Sequence, residues 1–421
     1  MSSAKIRIWN TTVGYLYWDD PNQTALFEPD AEYLNSNINI SPVLHPDKQD
    51  RLTGSDYHNK FNGLIPTFND SLPDSFGNTV FKEWLEQMKM DQSEMNPVER
   101  LLYIGSRGIG ALEYQTGKHT PNTLHSFNLN DLADISNKII RRKYAQEDFL
   151  HDPEALSNIL TIGSSVGGAQ AKILVAQSKD GKSLAGDLLH DQPVDYFIVK
   201  LEHEPENVWS REKNYVEHVY NAIARDAGIN VAESKLIFEG GRAHFASKRF
   251  DRVGNKKVHK QTVNALRGFW GKSLEFGYSD IFKTIEFLQL PYANTEQLFM
   301  QMVFNVAASN RDDHTKNFSF LMDKDGYWAL SPAYDLTFPR DPYGSFNSAH
   351  QIHINGKTKD ILREDIVAVA ELVGVRNYNQ IIDNVIHHVS SFSEKIKGYP
   401  LESNTTKLIA KDIAGNIDRL K

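Results

Sequence analysis

Three polar residues between positions 310 and 335 carry the groups that phosphoryl transfer requires. They are a carboxylate at Asp312, an amide at Asn317 and a second carboxylate at Asp335. A kinase needs an acceptor for the proton of the substrate hydroxyl and an Asn/Asp pair that holds Mg²⁺ on the nucleotide phosphates. The spacing from Arg311 to Asn317 also reproduces the RDxxxxN part of a protein-kinase catalytic loop. The sequence therefore predicts an ATP-dependent kinase.

A helix, a loop and a β-hairpin are expected to position these residues. The predicted elements are a helix at 296–309, a loop at 310–316, strands at 318–322 and 327–330, and a turn at 324–326. Because the ends of a hairpin are adjacent, Asp335 is expected beside Asn317. A simpler alternative for any single residue is that Asp312 or Asp313 caps a turn and that Asn317 begins a strand.

A second group of signals, earlier in the chain, indicates a nucleotide-binding lobe. Segment 163–172 (GSSVGGAQAK) is rich in small residues, which let backbone N–H groups approach phosphate oxygens. The strand-like segment 195–200 ends in Lys200, at the place where kinases carry a lysine that contacts the ATP phosphates. Glu217 on the next predicted helix is a candidate partner for Lys200, and segment 244–252 is a candidate hinge. Taken singly, these signals also fit a plain β-turn, a solvated lysine and an exposed glutamate, but their order is that of a two-lobed kinase.

The bulk properties fit an intracellular enzyme. A length of 421 residues exceeds one typical core, so two or three subdomains are expected. The absence of cysteine excludes disulfides and thiolate metal sites. We expect a cytoplasmic protein without membrane contact, because the sequence has neither an apolar signal segment at its start nor an apolar run of spanning length. The net charge of -8 argues against a global basic field for nucleic acid.

The chain is expected to adopt an α+β fold with three parts. Short strands dominate the beginning of the sequence, and helical patterns dominate its end apart from the hairpin and a strand-like segment at 350–355. Further helices are predicted at about 80–90, 135–144 and 213–227. The predicted parts are a β-rich N-terminal subdomain at 1–115, a connector and ATP-binding N-lobe with the Gly-rich loop at 116–252, and a mainly helical C-lobe with the catalytic loop and the metal-binding Asp at 253–421.

Together these segments resemble the HipA family, the serine/threonine kinase toxins of bacterial type II toxin–antitoxin modules. The resemblance covers nearly the whole length and is most specific between Asp312 and Asp335. The N-terminal part resembles the accessory subdomain of that family. The matching segments are 13–16 (VGYL), 70–78 (DSLPDSFGN), 105–112 (GSRGIGAL), 165–172 (SVGGAQAK), Lys200, 248–252 (KRFDR), 312–317 (DDHTKN) and 332–335 (PAYD).

The resemblance implies a two-lobed, protein-kinase-like fold that uses ATP and Mg²⁺. It implies that Asp312 is the catalytic base and that Asn317 and Asp335 bind the metal. Ser165 matches the serine that family toxins autophosphorylate, and Ser164 beside it remains an alternative. A phosphate of charge near -2 in that loop would repel the ATP phosphates. The implied ATP-binding residues are Gly167, Gly168, Ala169, Gln170, Ala171, Lys172, Lys200, Lys248, Arg249, Phe250, His314, Thr315, Lys316, Asn317, Tyr334 and Asp335.

The resemblance also implies partners. Well-known family members phosphorylate glutamate–tRNA ligase, which stalls translation and produces dormant, drug-tolerant cells. An aminoacyl-tRNA synthetase is therefore the expected protein substrate. A small helix-turn-helix antitoxin called HipB neutralises such toxins, and contact with DNA is expected mainly through a partner of that kind.

Two other functions remain open from the sequence. One is a kinase for a small molecule, and the other is a catalytically silent pseudokinase that acts as a transcriptional co-repressor with a helix-turn-helix partner. The joint presence of Lys200 and the three residues of the catalytic block argues against the second. A metal-dependent hydrolase is disfavoured, because His314 lacks partners of the HExxH type and because His350 and His353 would face opposite sides of a strand.

Overall fold

The computed structural model describes residues 2–73, 75–87, 95–115, 127–145, 170–204, 206–269, 275–339 and 348–421. The chain divides into two compact units. The first unit comprises Met1–Glu204, Ile237–Gly268 and Leu321–Tyr327, and the second comprises Pro205–Leu236, Phe269–Phe320 and Trp328–Lys421. The domain boundaries expected at residues 115 and 252 remain predictions.

The first unit begins with an antiparallel sheet. Its strands are β1 (Ser3–Ile8), β2 (Thr11–Asp19), β3 (Thr24–Pro29), β4 (Leu52–Thr53) and β5 (Leu112–Gln115), in the order β4-β3-β2-β1-β5. In β1, Ala4, Ile6 and Ile8 are buried and the residues between them are not. This period of two is that of a sheet covered on one face. Gly14 of β2 lies so close to the Glu28 carbonyl oxygen that a Cβ would clash with it.

Helices lie between these strands along the sequence. They are α1 (Ala31–Leu34), α2 (His58–Phe61), α3 (Pro66–Asn69), α4 (Ser75–Gln87) and α5 (Pro97–Ile104). A reciprocal cap fixes the start of α5: Asn96 Oδ1 accepts from the Val98 and Glu99 amides, and Glu99 Oε2 accepts from the Asn96 amide. These bonds satisfy amides that the first helical turn leaves without partners.

A second sheet lies mainly in the first unit. Its strands are β6 (Lys172–Ser178), β7 (Ser183–Ala185), β8 (Val194–Lys200), β9 (Ser234–Glu239) and β10 (Arg242–Lys248), in the order β7-β6-β8-β10-β9. Val80 of α4 and Leu132 of α6 (Leu129–Ala145) pack in one buried cluster with Ile173, Val175 and Val199 of the sheet. Burial of this apolar surface attaches the two helices to the sheet.

The first unit is completed by small elements after β10. They are β11 (Arg252–Val253), β12 (Lys256–Lys257), β13 (His259–Thr262) and α8 (Val263–Arg267). Thr262 caps α8 by accepting from the Ala265 amide at 3.3 Å. Its own amide and hydroxyl donate to the Asp70 carboxylate at 2.6 and 2.7 Å, which attaches this segment to the N-terminal part of the unit.

The second unit is mainly helical. Its helices are α7 (Val208–Asp226), α9 (Tyr278–Phe287), α10 (Tyr292–Ala307), α11 (Arg363–Val373), α12 (Tyr378–Ser390), α13 (Phe392–Lys395) and α14 (Ser403–Leu420). α10 contacts α9, α11, α12 and α14. Its second half, residues 301–307, is buried on every side, as a helix enclosed by other helices requires.

The hairpin expected after the catalytic loop is present, as β14 (Ser319–Met322) and β15 (Trp328–Leu330). Gly326 closes its turn with a φ of 91°. The α+β class is confirmed, with sheets in the N-terminal region and helices in the C-terminal region.

The prediction of a strand at 350–355 is wrong. That segment forms isolated bridges, from His353 to Gly277 and from Ile354 to Lys357. Asn355 and Gly356 take left-handed φ values of 49° and 78° and turn the chain directly after Ile354. The chain therefore reverses before a ladder can form.

Candidate active site

The loop that carries Asp312 starts where α10 ends. The helix stops at Ala307, two residues earlier than predicted, and Ser309 takes a left-handed φ of 57° that a right-handed helix cannot continue. The Asn310 amide then donates to the carbonyl oxygen of Asn305 at 2.9 Å, which satisfies a carbonyl at the helix end.

Side chains from two other helices hold the start of this loop. Tyr220 of α7 donates its hydroxyl hydrogen to the Ala308 carbonyl oxygen at 2.7 Å. Asn416 of α14 donates to the Val306 carbonyl oxygen at 2.8 Å and to Ser309 Oγ at 2.6 Å. Both donors are buried, so these bonds take the place of water on the loop. Residues distant in sequence therefore fix where the loop begins.

Asp313 is buried, with hydrogen bonds on both carboxylate oxygens. Its Oδ2 accepts from the Tyr278 hydroxyl at 2.9 Å and lies 2.8 Å from His350 Nδ1, while Oδ1 accepts from the Gln351 amide at 2.8 Å. A carboxylate only accepts, so His350 Nδ1 carries the hydrogen of that bond. Sequence reasoning gave Asp313 no role beyond a possible turn cap. No local signal identifies His350 as its partner, because the two lie 37 positions apart.

The network continues from Asp313 to both sides of the loop. Asn305 Nδ2 donates to the Tyr278 hydroxyl oxygen at 2.9 Å, and Asn310 Nδ2 donates to Asn305 Oδ1 at 2.9 Å. Gln351 Nε2 donates to the Arg311 carbonyl oxygen at 3.0 Å. Burial, together with the neighbouring Asp313 carboxylate, raises the pKa of Tyr278 well above its ordinary value. Tyr278 therefore stays protonated and remains a donor.

Asp312 has a different environment from its neighbour. Its side chain is 40% exposed, whereas that of Asp313 is 0% exposed. Its carbonyl oxygen accepts from Asn317 Nδ2 at 2.8 Å, and its Oδ1 lies 4.0 Å from His314 Nε2. An accessible carboxylate on an anchored backbone can accept a proton from a bound hydroxyl. Thr315 and Lys316 continue the loop in a 3-10 turn that ends at Asn317.

The chain returns to this loop at Tyr334 and Asp335. The Tyr334 hydroxyl donates to the Lys316 carbonyl oxygen at 2.6 Å and also hydrogen-bonds with Ser319 Oγ. Asp335 follows with a left-handed φ of 58°. Only Gly, Asn and Asp adopt that conformation readily, and such backbone strain is concentrated at functional sites. The contact between Tyr334 and Lys316 thus brings together the residues that precede Asp335 and Asn317. That Asp335 itself lies beside Asn317 remains a prediction.

The donor set at Asn317 and Asp335 fits Mg²⁺. Asn317 uses its nitrogen to bond Asp312, so a cation would meet its oxygen. An amide oxygen and a carboxylate are both ligands of the kind that Mg²⁺ prefers, and substrate phosphates usually complete such sites. Among the residues that the structure describes, no group of three His, Asp or Glu side chains forms a separate metal site.

In the first unit, the described part of the Gly-rich segment begins at Gln170. Lys172 of β6 lies directly opposite Lys200 of β8 in the antiparallel register, and both are buried. Lys200 Nζ lies 5.8 Å from the ring centre of Phe245. Opposed residues share a face of the sheet, so two ammonium groups lie on one side of it. Ser165, Gly167, Gly168 and Ala169 lie outside the described residues.

The predicted adenine-site segment at 248–250 has mixed surroundings. Lys248 is half-exposed and pairs with Asp195 at 3.2 Å. Arg249 is fully buried: it donates through Nε and Nη2 to Asp251 and through Nη1 to the Gly186 carbonyl oxygen. Its amide donates to the Tyr196 carbonyl oxygen at 2.8 Å. The Arg249 guanidinium thus stabilises the fold through these bonds. Phe250 is half-buried.

Asp251 is the centre of this ionic cluster. It also accepts from Arg252 Nη1 at 2.7 Å and from the Gly110 amide at 2.8 Å. Burial alone would raise the pKa of Asp251, but the guanidinium groups of Arg249 and Arg252 hold it well below its ordinary range. The carboxylate is therefore ionised and ties residue 110 to the strand end at 249–252.

A small cavity of about 100 Å³ lies within the second unit. Amide side chains of Asn230, Asn294 and Gln297 line it, together with Ala333. Ligand pockets usually enclose about 300 Å³ or more, so this cavity is too small for a nucleotide.

Two family models match the chain. One, described as HipA N-terminal domain, matches residues 4–115, and another, described as HipA-like C-terminal domain, matches residues 164–392. The second match alone spans more than half of the 421 residues. The two matches cover the N-terminal sheet, the second sheet, the catalytic loop and the hairpin.

Individual proteins are similar to the chain at lower identity. A Haemophilus influenzae protein named "Putative kinase" is 24% identical in an alignment 265 residues long, and the match covers 52% of this chain and 75% of that protein. A chain in the Shewanella oneidensis MR-1 complex of HipA, HipB and operator DNA has a TM-score of 0.68 and 17% identity, over 99% of this chain and 96% of that one. At this identity the structural likeness establishes the fold. No helix among the described residues is both long and apolar enough to cross a membrane.

Proposed function

The chain belongs to the HipA family, and from this membership we propose that it is an ATP-dependent serine/threonine protein kinase. One observation carries the proposal. Hydrogen bonds from Asn416 and Gln351 hold Ser309, Arg311 and Asp313 of the loop at 309–317, yet the Asp312 carboxylate on it is accessible. General-base catalysis needs such a group, placed within reach of the proton and held in orientation.

In the proposed reaction, a substrate hydroxyl oxygen attacks the γ-phosphorus of ATP, and the bond from that phosphorus to the bridging oxygen of ADP breaks. Asp312 accepts the hydroxyl proton and releases it to solvent after transfer. Asn317 and Asp335 would hold Mg²⁺, which when bound neutralises charge on the phosphate oxygens. The Asn317 amide hydrogen meanwhile fixes the Asp312 carbonyl and so orients the base.

The remaining ATP contacts are proposed from the family resemblance and from the position of each residue. Lys172 and Lys200 are cross-strand neighbours of like charge, which favours an anionic triphosphate beside them. Gly167, Gly168 and Ala169, with Gln170 and Ala171, would cover the phosphates. Lys248 and Phe250 would contact adenine, and Arg249 would contribute its carbonyl oxygen, since its amide and guanidinium are engaged. His314, Thr315, Lys316 and Tyr334 would complete the site from the catalytic loop and the hairpin region.

We also propose the biological setting on family grounds. The protein would be the cytoplasmic toxin of a toxin–antitoxin pair, with a HipB-like helix-turn-helix antitoxin and an aminoacyl-tRNA synthetase as substrate. The structurally similar Shewanella protein is found in a complex with HipB and operator DNA, which supports the antitoxin partner. The net charge of -8 supports contact with DNA mainly through that partner. Autophosphorylation at Ser165 would switch the enzyme off by placing negative charge at the phosphate site.

Incubation with ATP and Mg²⁺ tests the proposal. Initially unphosphorylated protein is incubated alone and with an aminoacyl-tRNA synthetase, and the intact masses are measured. We expect the parent to transfer phosphate, with its own modification at Ser165, and Asp312→Ala to bind ATP without transfer. Asp325→Ala removes an exposed carboxylate from the hairpin turn and is expected to match the parent.

Three outcomes would contradict the proposal. Equal transfer by the parent and by Asp312→Ala would remove Asp312 from the role of base. Absence of both ATP binding and transfer in the parent would instead favour the pseudokinase co-repressor. Transfer only to small-molecule hydroxyls would favour the small-molecule kinase.

A further inference from the structure

We propose that His350 is a positioning residue for phosphoryl transfer, which acts through Asp313 on the loop that presents Asp312. This inference rests on the proposed kinase function. Its starting point is three hydrogen bonds to the residues on either side of the candidate base. His350 and Gln351 bind Asp313, the residue after Asp312, and Gln351 also binds Arg311, the residue before it.

The contacts leave the intervening backbone little freedom. His350 Nδ1 lies 2.8 Å from Asp313 Oδ2, the Gln351 amide donates to Asp313 Oδ1 at 2.8 Å, and Gln351 Nε2 donates to the Arg311 carbonyl oxygen at 3.0 Å. The side chains of His350 and Asp313 are 5% and 0% exposed. Water therefore cannot readily replace a lost donor.

His350 gives Asp313 Oδ2 a donor that is more rigidly oriented than the hydroxyl of Tyr278. Tyr278 shares Oδ2 of Asp313 but comes from the start of α9, and its hydroxyl can rotate. The His350 ring is rigid, and its Nδ1–H has one fixed direction. Loss of this donor leaves Oδ2 with a single partner, so we expect the Asp313 side chain and the adjoining Asp312 backbone to shift. Misplacement of a catalytic group by about 1 Å costs on the order of 100-fold in rate.

Replacement of His350 by asparagine or alanine tests this role. The nitrogen of an asparagine side chain can occupy nearly the place of Nδ1, whereas alanine removes the donor. The measurements are the unfolding temperature, the Kd for ATP with Mg²⁺, and the single-turnover rate of phosphate transfer at saturating ATP. We expect His350→Ala to lower the rate about 100-fold with Kd within about threefold, and His350→Asn to recover at least about tenfold of that loss.

A matched control separates positioning from general destabilisation. His259 is also buried, and its Nε2 lies 3.1 Å from the Ile40 carbonyl oxygen in the first unit. His259→Ala is expected to lower the unfolding temperature while the rate per folded molecule stays within about twofold of the parent. If His259→Ala and His350→Ala lost similar fractions of the transfer rate, both losses would follow from lower stability, and the proposal would be overturned.

The remaining outcomes are also decisive. A parent that transfers phosphate and a His350→Ala variant that does so equally well would overturn the positioning role and leave the kinase function standing. Recovery no better with asparagine than with alanine would show that the Nδ1 donor is not what matters. A parent without any transfer would overturn the proposed function itself, and the positioning role with it.

Discussion

The side-chain amide of Asn317 donates a hydrogen bond to the main-chain carbonyl oxygen of Asp312 at 2.8 Å. The candidate metal ligand therefore also holds the backbone of the candidate base. Since the bond occupies the amide nitrogen, it orients the oxygen of the same group away from Asp312. A single side chain thus links the position of the base to that of the cation.

Asn317→Asp is expected to separate these two roles. The variant retains oxygen for the cation but sets a carboxylate oxygen against the Asp312 carbonyl oxygen, where two acceptors cannot bond. We expect affinity for ATP with Mg²⁺ within about tenfold of the parent and a transfer rate about 100-fold lower. Rates measured against Mg²⁺ concentration, with Asn317→Ala for comparison, check this expectation. An Asn317→Asp variant as fast as the parent would show that the bond to Asp312 is dispensable.

At Asp335 we expect a glycine variant to be more stable than an alanine variant, which is the reverse of the usual order of stability. The left-handed φ of 58° costs an alanine about 1–2 kcal/mol but costs glycine almost nothing. Asp335→Gly should therefore unfold in urea with about 1 kcal/mol more stability than Asp335→Ala, and both should lack phosphate transfer. The same two substitutions at Asp325, an exposed turn residue without a positive φ, provide the control. A more stable alanine variant at 335 would contradict the backbone conformation described.

Removal of the carboxylate at Asp251 is expected to destabilise the first unit strongly. Asp251→Asn leaves two buried arginines without their counter-ion, for which the typical cost is about 3–5 kcal/mol. Because the pKa of Asp251 is lowered in the folded state, its contribution is present above pH 4 and is lost as the pH falls below that value. Denaturant unfolding at several pH values measures both effects. Glu28→Gln, at an exposed pair with Arg51, should cost at most about 1 kcal/mol.

Asp187 is expected to have the opposite pH dependence. It is buried, and neither carboxylate oxygen has a hydrogen-bond partner within the described part of the chain. Burial raises the pKa of Asp187 to about 6, although Arg107, Arg249 and His190 offset part of the effect. Ionisation therefore destabilises the folded state progressively between about pH 4 and pH 6.

Asp187→Asn removes that ionisation and tests this expectation. Relative to the variant, the parent should lose on the order of 3 kcal/mol of stability as the pH rises from 4 to 8, with most of the change complete near pH 6. Urea unfolding of the two proteins across this range supplies the measurement. A difference that stays constant with pH would show that Asp187 titrates normally.

The sequence was sufficient for the parts of the site that depend on local pattern. Helical spacing up to the polar run at 310, and alternation after it, predicted the helix, loop and hairpin around Asp312 correctly. The predicted helix end was two residues late, because the left-handed Ser309 has no sequence signal of its own. The roles assigned to Asp312, Asn317 and Asp335 remain proposals that this geometry supports.

Long-range partners were beyond the reach of the sequence. Nothing in the spacing shows that Asp313 bonds His350, or that Arg249 is used by Asp251 and Gly186. The sequence does not distinguish an arginine that contacts a ligand from one that pairs with a buried carboxylate two positions later. The strand prediction at 350–355 was wrong for a related reason: the alternating residues of this segment form single bridges and a turn instead of a ladder.

The hydrogen bonds from Asn416 also have a consequence for synthesis of the protein. Ser309, at the start of the catalytic loop, is held by a side chain that the ribosome adds 107 positions later. A nascent chain that already contains Asp312, Asn317 and Asp335 therefore still lacks the last support of its loop. The order of translation thus delays a complete catalytic loop until α14 has left the ribosome.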